Sequence, residues 1–235
     1  MNQTLLVDQL LKYNLTRQEA NIYLTLLIHQ DVTGYEIAKI TGISRSNVYN
    51  ALAGLVEKGA AYIIEGTVTK YVAVPLEEFC DNQIRDLYQA KDFLLENQPK
   101  DSVESDGYIT IEGHQHILNK IKNMIKKCEY RVYLSLDKKL LKELEEEINF
   151  VVARELKVVI LTNEPVNIQG VFQYQNQKEY QEQFQIITDS KYVLTGEIGG
   201  SALYSGQKNF VKVFKDSLAN EIKLLELTKG EQAYE

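Results

Sequence analysis

Between Ser44 and Asn50 the chain reads Ser-Arg-Ser-Asn-Val-Tyr-Asn, gathering hydroxyls, amides, a phenol and a guanidinium into seven residues. Such groups donate and accept hydrogen bonds to base edges and phosphates. Ser44 is an N-cap residue, so a helix is expected from there to about Lys58, before Gly59. On that helix Val48, Leu52 and Leu55, with Ala51 beside them, share one apolar stripe. Ser46, Asn50 and Ala53 point the opposite way, flanked by Asn47 and Tyr49, and Arg45 reaches around from the first turn. Glu57, in the last turn, is the one acid nearby. A helix that enters a major groove about 12 Å wide needs slim polar side chains and no carboxylate near phosphate. Its first N–H groups can also hold a phosphate. Ser44, Arg45, Ser46, Asn47, Tyr49 and Asn50 are therefore the candidate DNA-contacting residues.

Other reactive side chains do not assemble into a site. His114 and His116 diverge at a helix start with no Cys or further His nearby, so no metal is expected. Cys80 and Cys128 match neither a disulfide framework nor a metal-ligand spacing and read as reduced, buried thiols. The Gly196-Glu-Ile-Gly-Gly200 run lacks the Lys-Ser/Thr of a phosphate loop and reads as a turn. Glu143–Glu147 is expected to be a solvated helix face. No Ser-His-Asp or Cys-His arrangement is legible, and no cofactor is expected. Fifteen tyrosines could line a sugar or drug pocket, although packing accounts for them more simply.

The elements that carry the polar helix are readable from local signals. Leu5, Leu6, Leu10 and Leu11 give Thr4–Tyr13 a short helical pattern. Thr16-Arg-Gln-Glu19 and Thr33-Gly-Tyr-Glu36 are capping boxes, each opening a helix. The first runs to about His29; the second is broken by Thr41-Gly42. Ala61–Glu65 and Thr69–Val74 form a hairpin around Gly66-Thr67-Val68. Helix, turn, helix and hairpin make residues 1–75 a winged helix-turn-helix. Lys39 joins its DNA-facing set, and so do Thr69 and Lys70 as a wing touching the backbone. Residues 76–97 form a helix with Cys80, Ile84, Leu87, Lys91 and Leu94 at heptad spacing, a short dimerisation seam. The alternative is a helix folded back on the winged domain. Residues 98–106, QPKDSVESD, read as a linker.

Composition bounds the partners. Forty-four per cent hydrophobic and 25% charged residues describe a globular chain. No apolar run nears the roughly 18 residues of a membrane helix, and the start resembles no signal peptide, so a cytoplasmic protein with no membrane partner is expected. The net charge is −7. Residues 1–75 hold six cations and six anions, which places the whole deficit in the remainder. A neutral head can bind DNA only with its cations gathered on one face.

The stretches LTRQEANIYLTLL, GISRSNVYNAL and KYVAVPLEEF resemble the DNA-binding domain of the TrmB family of transcriptional regulators. The departure is Ala61 in EKGAAYIIEG, where the family carries a larger residue, a change that bears on wing packing. The resemblance implies DNA-reading and backbone-positioning roles for Ser44, Arg45, Ser46, Asn47, Tyr49 and Asn50. Beyond residue 106 the period alternates. Strands are expected at Gly107–Glu112, Tyr130–Leu136, Lys157–Thr162, Gly170–Tyr174 and Ala202–Tyr204, and Gln183–Asp189 with Tyr192–Gly196 read as a hairpin around Asp189-Ser-Lys191. Helices are expected at Gln115–Lys127, Lys138–Glu155 and Gln207–Leu227. Residues 107–235 are thus an α/β domain for effector binding or assembly.

GYITIEGHQHILNKIKNMIKKCEYRVYLSL is similar to the TrmB regulatory domain, itself similar to half of a phospholipase-D-like fold. In such enzymes a His-x-Lys pair precedes an Asp, with His as nucleophile. If Asp189 is that Asp, Glu182 and Phe184 stand where His and Lys belong, and no catalysis is expected. The reading is a homodimeric regulator of a double-stranded DNA operator, sensing a small-molecule effector, a sugar or other metabolite. Two alternatives stand beside it: a C-terminal domain that serves protein–protein assembly only, and a phosphodiesterase-like enzyme.

Overall fold

The computed structural model describes residues 3–99 and 107–231. The chain divides into two compact units, Met1–Ser102 and Val103–Glu235.

In the first unit, α1 (Gln3–Leu10) runs into a 3-10 turn at Leu11–Tyr13. It is followed by α2 (Arg17–Ile28), β1 (Val32–Thr33), α3 (Gly34–Thr41), α4 (Arg45–Glu57), β2 (Ala61–Ile64), β3 (Lys70–Ala73) and α5 (Leu76–Glu96). Both capping boxes form: Thr16 with Glu19 opens α2, and Thr33 with Glu36 opens α3. Gly42, at φ 71°, ends α3 in the left-handed conformation that glycine adopts without a steric penalty. Ile22, Tyr23, Leu26, Ile37, Val48, Leu52 and Leu55 make one buried cluster. The α1 stripe differs from expectation: Val7 and Leu10 are buried while Leu5 is exposed. The hairpin has a third strand, since β1 pairs antiparallel with β3 at Thr33↔Lys70, giving the order β1-β3-β2. Two residues are too short to show a period, which is why β1 is silent in the sequence. This is a winged helix-turn-helix. Ala61 is buried opposite Ala73, so the small side chain is accommodated by a small partner.

The second unit is α/β. Its elements are β4 (Ile109–Glu112), α6 (His114–Lys127), β5 (Arg131–Ser135), α7 (Lys138–Glu143), α8 (Glu145–Ala153), β6 (Lys157–Thr162), β7 (Phe172–Gln175), β8 (Gln183–Thr188), β9 (Tyr192–Glu197), β10 (Ser201–Ser205) and α9 (Lys208–Glu231). The strands form one sheet in the order β4-β10-β9-β8-β5-β6-β7. The β5–β6 and β6–β7 pairs are parallel and the rest antiparallel. On one face Ile117, Ile121, Leu134, Ile148, Ile160 and Ile186 pack α6, α7 and α8 onto the sheet. On the other, Val159, Leu161, Ile187 and Val193 meet Val211 and Leu218 of α9. Strand β6 is covered on both faces, as its unbroken apolar run requires.

Two expectations are corrected here. The single helix over 138–155 is interrupted at Leu144, which ends α7 and leads into α8 with φ −108° and ψ 4°. The Glu143–Glu147 run is not wholly solvated. Glu147 is only 2% exposed and lies 3.2 Å from the Lys126 ammonium and 3.6 Å from that of Lys122. A buried carboxylate needs such cations, and α6 supplies them. Of the expected linker, residues 100–106 lie outside the described residues.

Candidate nucleic-acid interface

Helix α4 takes the pose its pattern predicts. Val48, Ala51, Leu52 and Leu55 are buried, while Ser44, Arg45, Ser46, Asn47, Tyr49, Asn50 and Ala53 are exposed. The Ser44 hydroxyl accepts the Asn47 N–H at 3.4 Å, capping the helix. Arg45 does not hang free: its guanidinium lies 4.3 Å from the centroid of the Tyr35 ring, at the start of α3. That contact orients the fork of donors before any ligand arrives. Tyr35 was missed by sequence reasoning because its role depends on how α3 crosses α4.

Tyr49 is half-exposed and also structural. A Cβ placed on Gly34 would lie 2.5 Å from the Tyr49 ring, so the bare backbone of α3 is its seat. At the other end of α4, Lys58 donates to Glu19 at 2.7 Å. Gly54 leaves room for that carboxylate, which a Cβ there would strike. Burial raises the Glu19 pKa, but Lys58 and the Thr16 donors outweigh it and hold the carboxyl below its ordinary value. Lys58 is thereby committed to the fold.

The other expected contacts fall at different distances from α4. Lys39 is exposed in the last turn of α3. Thr69 and Lys70 are exposed where the wing meets β3, but Lys70 also stands opposite Thr33 in β1. Its charge helps the Thr33 N–H and hydroxyl to hold Glu36 below the ordinary carboxylate range. On α5, Cys80 is half-buried against the core of its own unit, beside the fully buried Phe79. The first position of the expected seam thus serves the intramolecular fold. Ile84, Leu87, Lys91 and Leu94 are exposed, Leu87 and Leu94 each at 66%.

The second unit offers a polar cavity of about 310 Å³, where β5 ends and β8 begins. Ser135, Tyr180, Gln183, Gln185, Thr195 and Glu197 line it. Tyr180, 2% exposed, donates to the Leu161 carbonyl at 3.1 Å and accepts from Asn176 at 2.9 Å. With its one proton so used, the 3.3 Å contact with Ser135 has Ser135 as donor. The Ser135 lone pairs are left for a ligand donor. Burial raises the Tyr180 pKa, so the phenol stays protonated at neutral pH.

Of the positions matching the phospholipase-D pattern, Glu182 is exposed, while Phe184 and Asp189 are built into the fold. Phe184 is buried in the sheet core. Asp189 accepts the N–H groups of Glu129, Tyr130 and Arg131 at 3.0, 2.8 and 3.0 Å. Burial raises its pKa, yet those three donors and Lys191 bring it below the ordinary value. Cys128 is buried, and its thiol is pushed up to about 11 by burial and by Asp189. Among the described residues no His, Cys, Asp and Glu cluster could hold a metal ion. None of the described helices is long and apolar enough to cross a membrane.

Comparison with known proteins agrees with this architecture. The family described as "Sugar-specific transcriptional regulator TrmB" matches residues 10–77, and the N-terminal subdomain of the TrmB effector-binding domain matches 107–222. The uncharacterized protein YrhO of Bacillus subtilis is 29% identical over 159 residues, 66% of this chain and 58% of YrhO. The sugar-sensing transcriptional regulator TrmBL1 of Pyrococcus furiosus is 25% identical over 135 residues, 55% of this chain and 40% of TrmBL1. The chain thus spans about half the length of these relatives. The solved structure of TrmBL2, an archaeal chromatin protein, is 19% identical with a TM-score of 0.44, covering 95% of this chain and 99% of that one. With matches to both the DNA-binding and the effector-binding parts of the family, the chain belongs to the TrmB family of transcriptional regulators.

Proposed function

We propose that this chain is a dimeric, sequence-specific DNA-binding regulator whose second unit senses a small hydroxyl-rich metabolite. One observation carries the DNA reading: the exposed face of α4 is free of acids from Ser44 to Gly54 and has Arg45 pre-oriented on Tyr35. Arg45, Ser46, Asn47 and Asn50 face base edges, while Ser44, Lys39, Thr69 and Lys70 hold backbone. The exposed seam of Ile84, Leu87, Lys91 and Leu94 on α5 joins two copies, each placing one α4 in a major groove. Footprinting on its own promoter region tests this. Two related half-sites are expected, with centres about 34 Å apart or a multiple of that. Uniform protection along any DNA overturns the reading.

The sensing reading is supported by the cavity at Ser135 and Tyr180, because hydroxyls and amides there match the alternating donors and acceptors of a sugar. The name of the P. furiosus relative points the same way. A bound effector would stabilise one dimer arrangement and so change operator affinity. Melting curves with neutral mono- and disaccharides are expected to show a rise that Ser135→Val removes. If no saccharide shifts the melting temperature or the footprint, sugar sensing is overturned.

A further inference from the structure

At the sheet end opposite the Ser135 cavity, the α9 face carries a different chemistry. Lys208, Lys212, Lys215 and Lys223 of α9 fall within an arc of about 80° at 100° per residue. Lys191, in the β8–β9 turn, and Lys157, at the start of β6, stand on the same end of the sheet. All six are exposed, and among the described residues none has a carboxylate oxygen within 4.0 Å. Residues beyond 75 hold 20 cations and 27 anions, so six lysines gathered without an ion-pair partner among the described residues are not what the average of that segment provides. Two cavities lie under them. One, of about 590 Å³, is lined by Ser190, Lys191, Lys208, Lys212 and Lys215. The other, of about 350 Å³, lies between α9 and aromatic side chains of β5 and β7: Tyr133, Phe172 and Tyr174. Lys215 lines both.

We propose that these adjoining cavities form a binding site for a small organic anion, an apolar ring or short chain bearing phosphate or carboxylate. The apolar part lies against Phe172, Tyr174 and Ile222. Phe172 is 55% exposed although aromatic, and the Lys157 ammonium already rests 5.2 Å from its ring centroid. The anionic part lies among Lys208, Lys212 and Lys215. Ser190, whose hydroxyl has no hydrogen-bond partner among the described residues, lines the same cavity. The acids nearby leave this balance positive. Asp216 shares the wall, Asp189 is taken up by three backbone N–H groups, and Glu226 accepts the Tyr174 hydroxyl. A neutral sugar would leave these lysines unused, so this site is distinct from the Ser135 cavity and its ligand is charged.

The test uses the full chain and two matched fluorescent probes: anionic 1-anilinonaphthalene-8-sulfonate and neutral N-phenyl-1-naphthylamine. The anionic probe is expected to saturate one site per chain, at least tenfold tighter than the neutral one, and to be displaced by inorganic pyrophosphate. Lys215→Glu reverses a charge where the cavities meet, and Ala219→Phe fills the apolar one without touching charge. Each is expected to weaken the probe at least tenfold while leaving circular dichroism and melting temperature unchanged. If either variant unfolds, Lys223→Ala and Lys212→Ala replace it, each with a smaller loss. Equal binding of the two probes, or parent-like binding by folded variants, overturns the proposal. So does displacement by random-sequence duplex at phosphate concentrations where pyrophosphate is inert, which would assign the lysines to DNA.

Discussion

Under the proposed DNA reading, Arg45 is the charged side chain in the first turn of α4, held over the Tyr35 ring. Arg45→Ala is expected to weaken operator binding by about 1–3 kcal/mol if the guanidinium meets a base. Tyr35→Leu keeps the charge and removes the ring beneath it, so a smaller loss of about 0.5–1 kcal/mol is expected. Quantitative gel shifts check both. Parent-like affinity in a folded Arg45→Ala variant removes the residue from the interface. Arg45 was legible because its position follows from a helix cap and a 3.6-residue period; Tyr35 was not, because contact across α3 and α4 leaves no trace in spacing. Asp189 gives a second single-residue prediction. Its folded-state pKa lies below the ordinary value of 3.8, so its stabilisation is fully present above about pH 4. That contribution is lost as pH falls through the depressed value. Asp189→Asn is therefore expected to lower stability at pH 7 and to flatten the acid limb of the melting profile. A parent-like acid limb would contradict the three-donor account.

Among the elements, α5 divides its work along its length. The first turns fold back: Phe79 is fully buried, with its ring 5.4 Å from that of Tyr23 and 6.2 Å from that of Tyr13. Phe79→Ala is expected to cost about 3–5 kcal/mol, as for other large aromatic truncations in cores, and chemical denaturation measures it. The later turns expose Leu87 and Leu94, so Leu87→Glu and Leu94→Glu are expected to leave melting of the monomer unchanged and to abolish the dimer. Sedimentation decides this, and a monomeric parent would dispose of the seam altogether. The heptad spacing was readable, but it placed Cys80 on the seam. The reason is that a helix can satisfy an intramolecular core and an intermolecular seam with one stripe. Capping boxes and the α4 stripe were readable because their partners lie within four residues. The burial of Glu147 was not, since Lys122 and Lys126 stand 25 and 21 residues away on another helix. The sheet order was only partly readable: β8 and β9 are joined by a short turn, whereas β8 meets β5 through pairs such as Val132↔Thr188, far apart in sequence.

Charge is distributed over the whole molecule in a way that limits how it meets DNA. The first 75 residues are electrically neutral, and two of their six cations are engaged internally: Lys58 with Glu19 and Arg17 with Asp8. Lys12 adjoins Tyr13, which packs on Phe79 of α5. That leaves Lys39, Arg45 and Lys70 near the recognition surface, and Lys70 shares its field with Glu36. A dimer therefore brings about six useful cations to a duplex. Each neutralised phosphate steepens the fall of log K with log salt by about 0.9, so a slope no steeper than about −5 is expected. Lys70→Ala, with one copy in each subunit, should flatten it by up to about 2 and lower affinity evenly across sequences. Fluorescence anisotropy on operator and scrambled duplexes from 50 to 300 mM potassium chloride measures both quantities, about tenfold changes being easily resolved. A slope near −10 would need roughly eleven phosphate contacts, more than two heads can supply. Those extra cations would have to come from residues beyond 75, where the lysines of α9 and its neighbours form one cluster. Lys215→Glu separates the cases: with DNA read by the heads alone it leaves the salt slope untouched, and with the second unit on the backbone it flattens it.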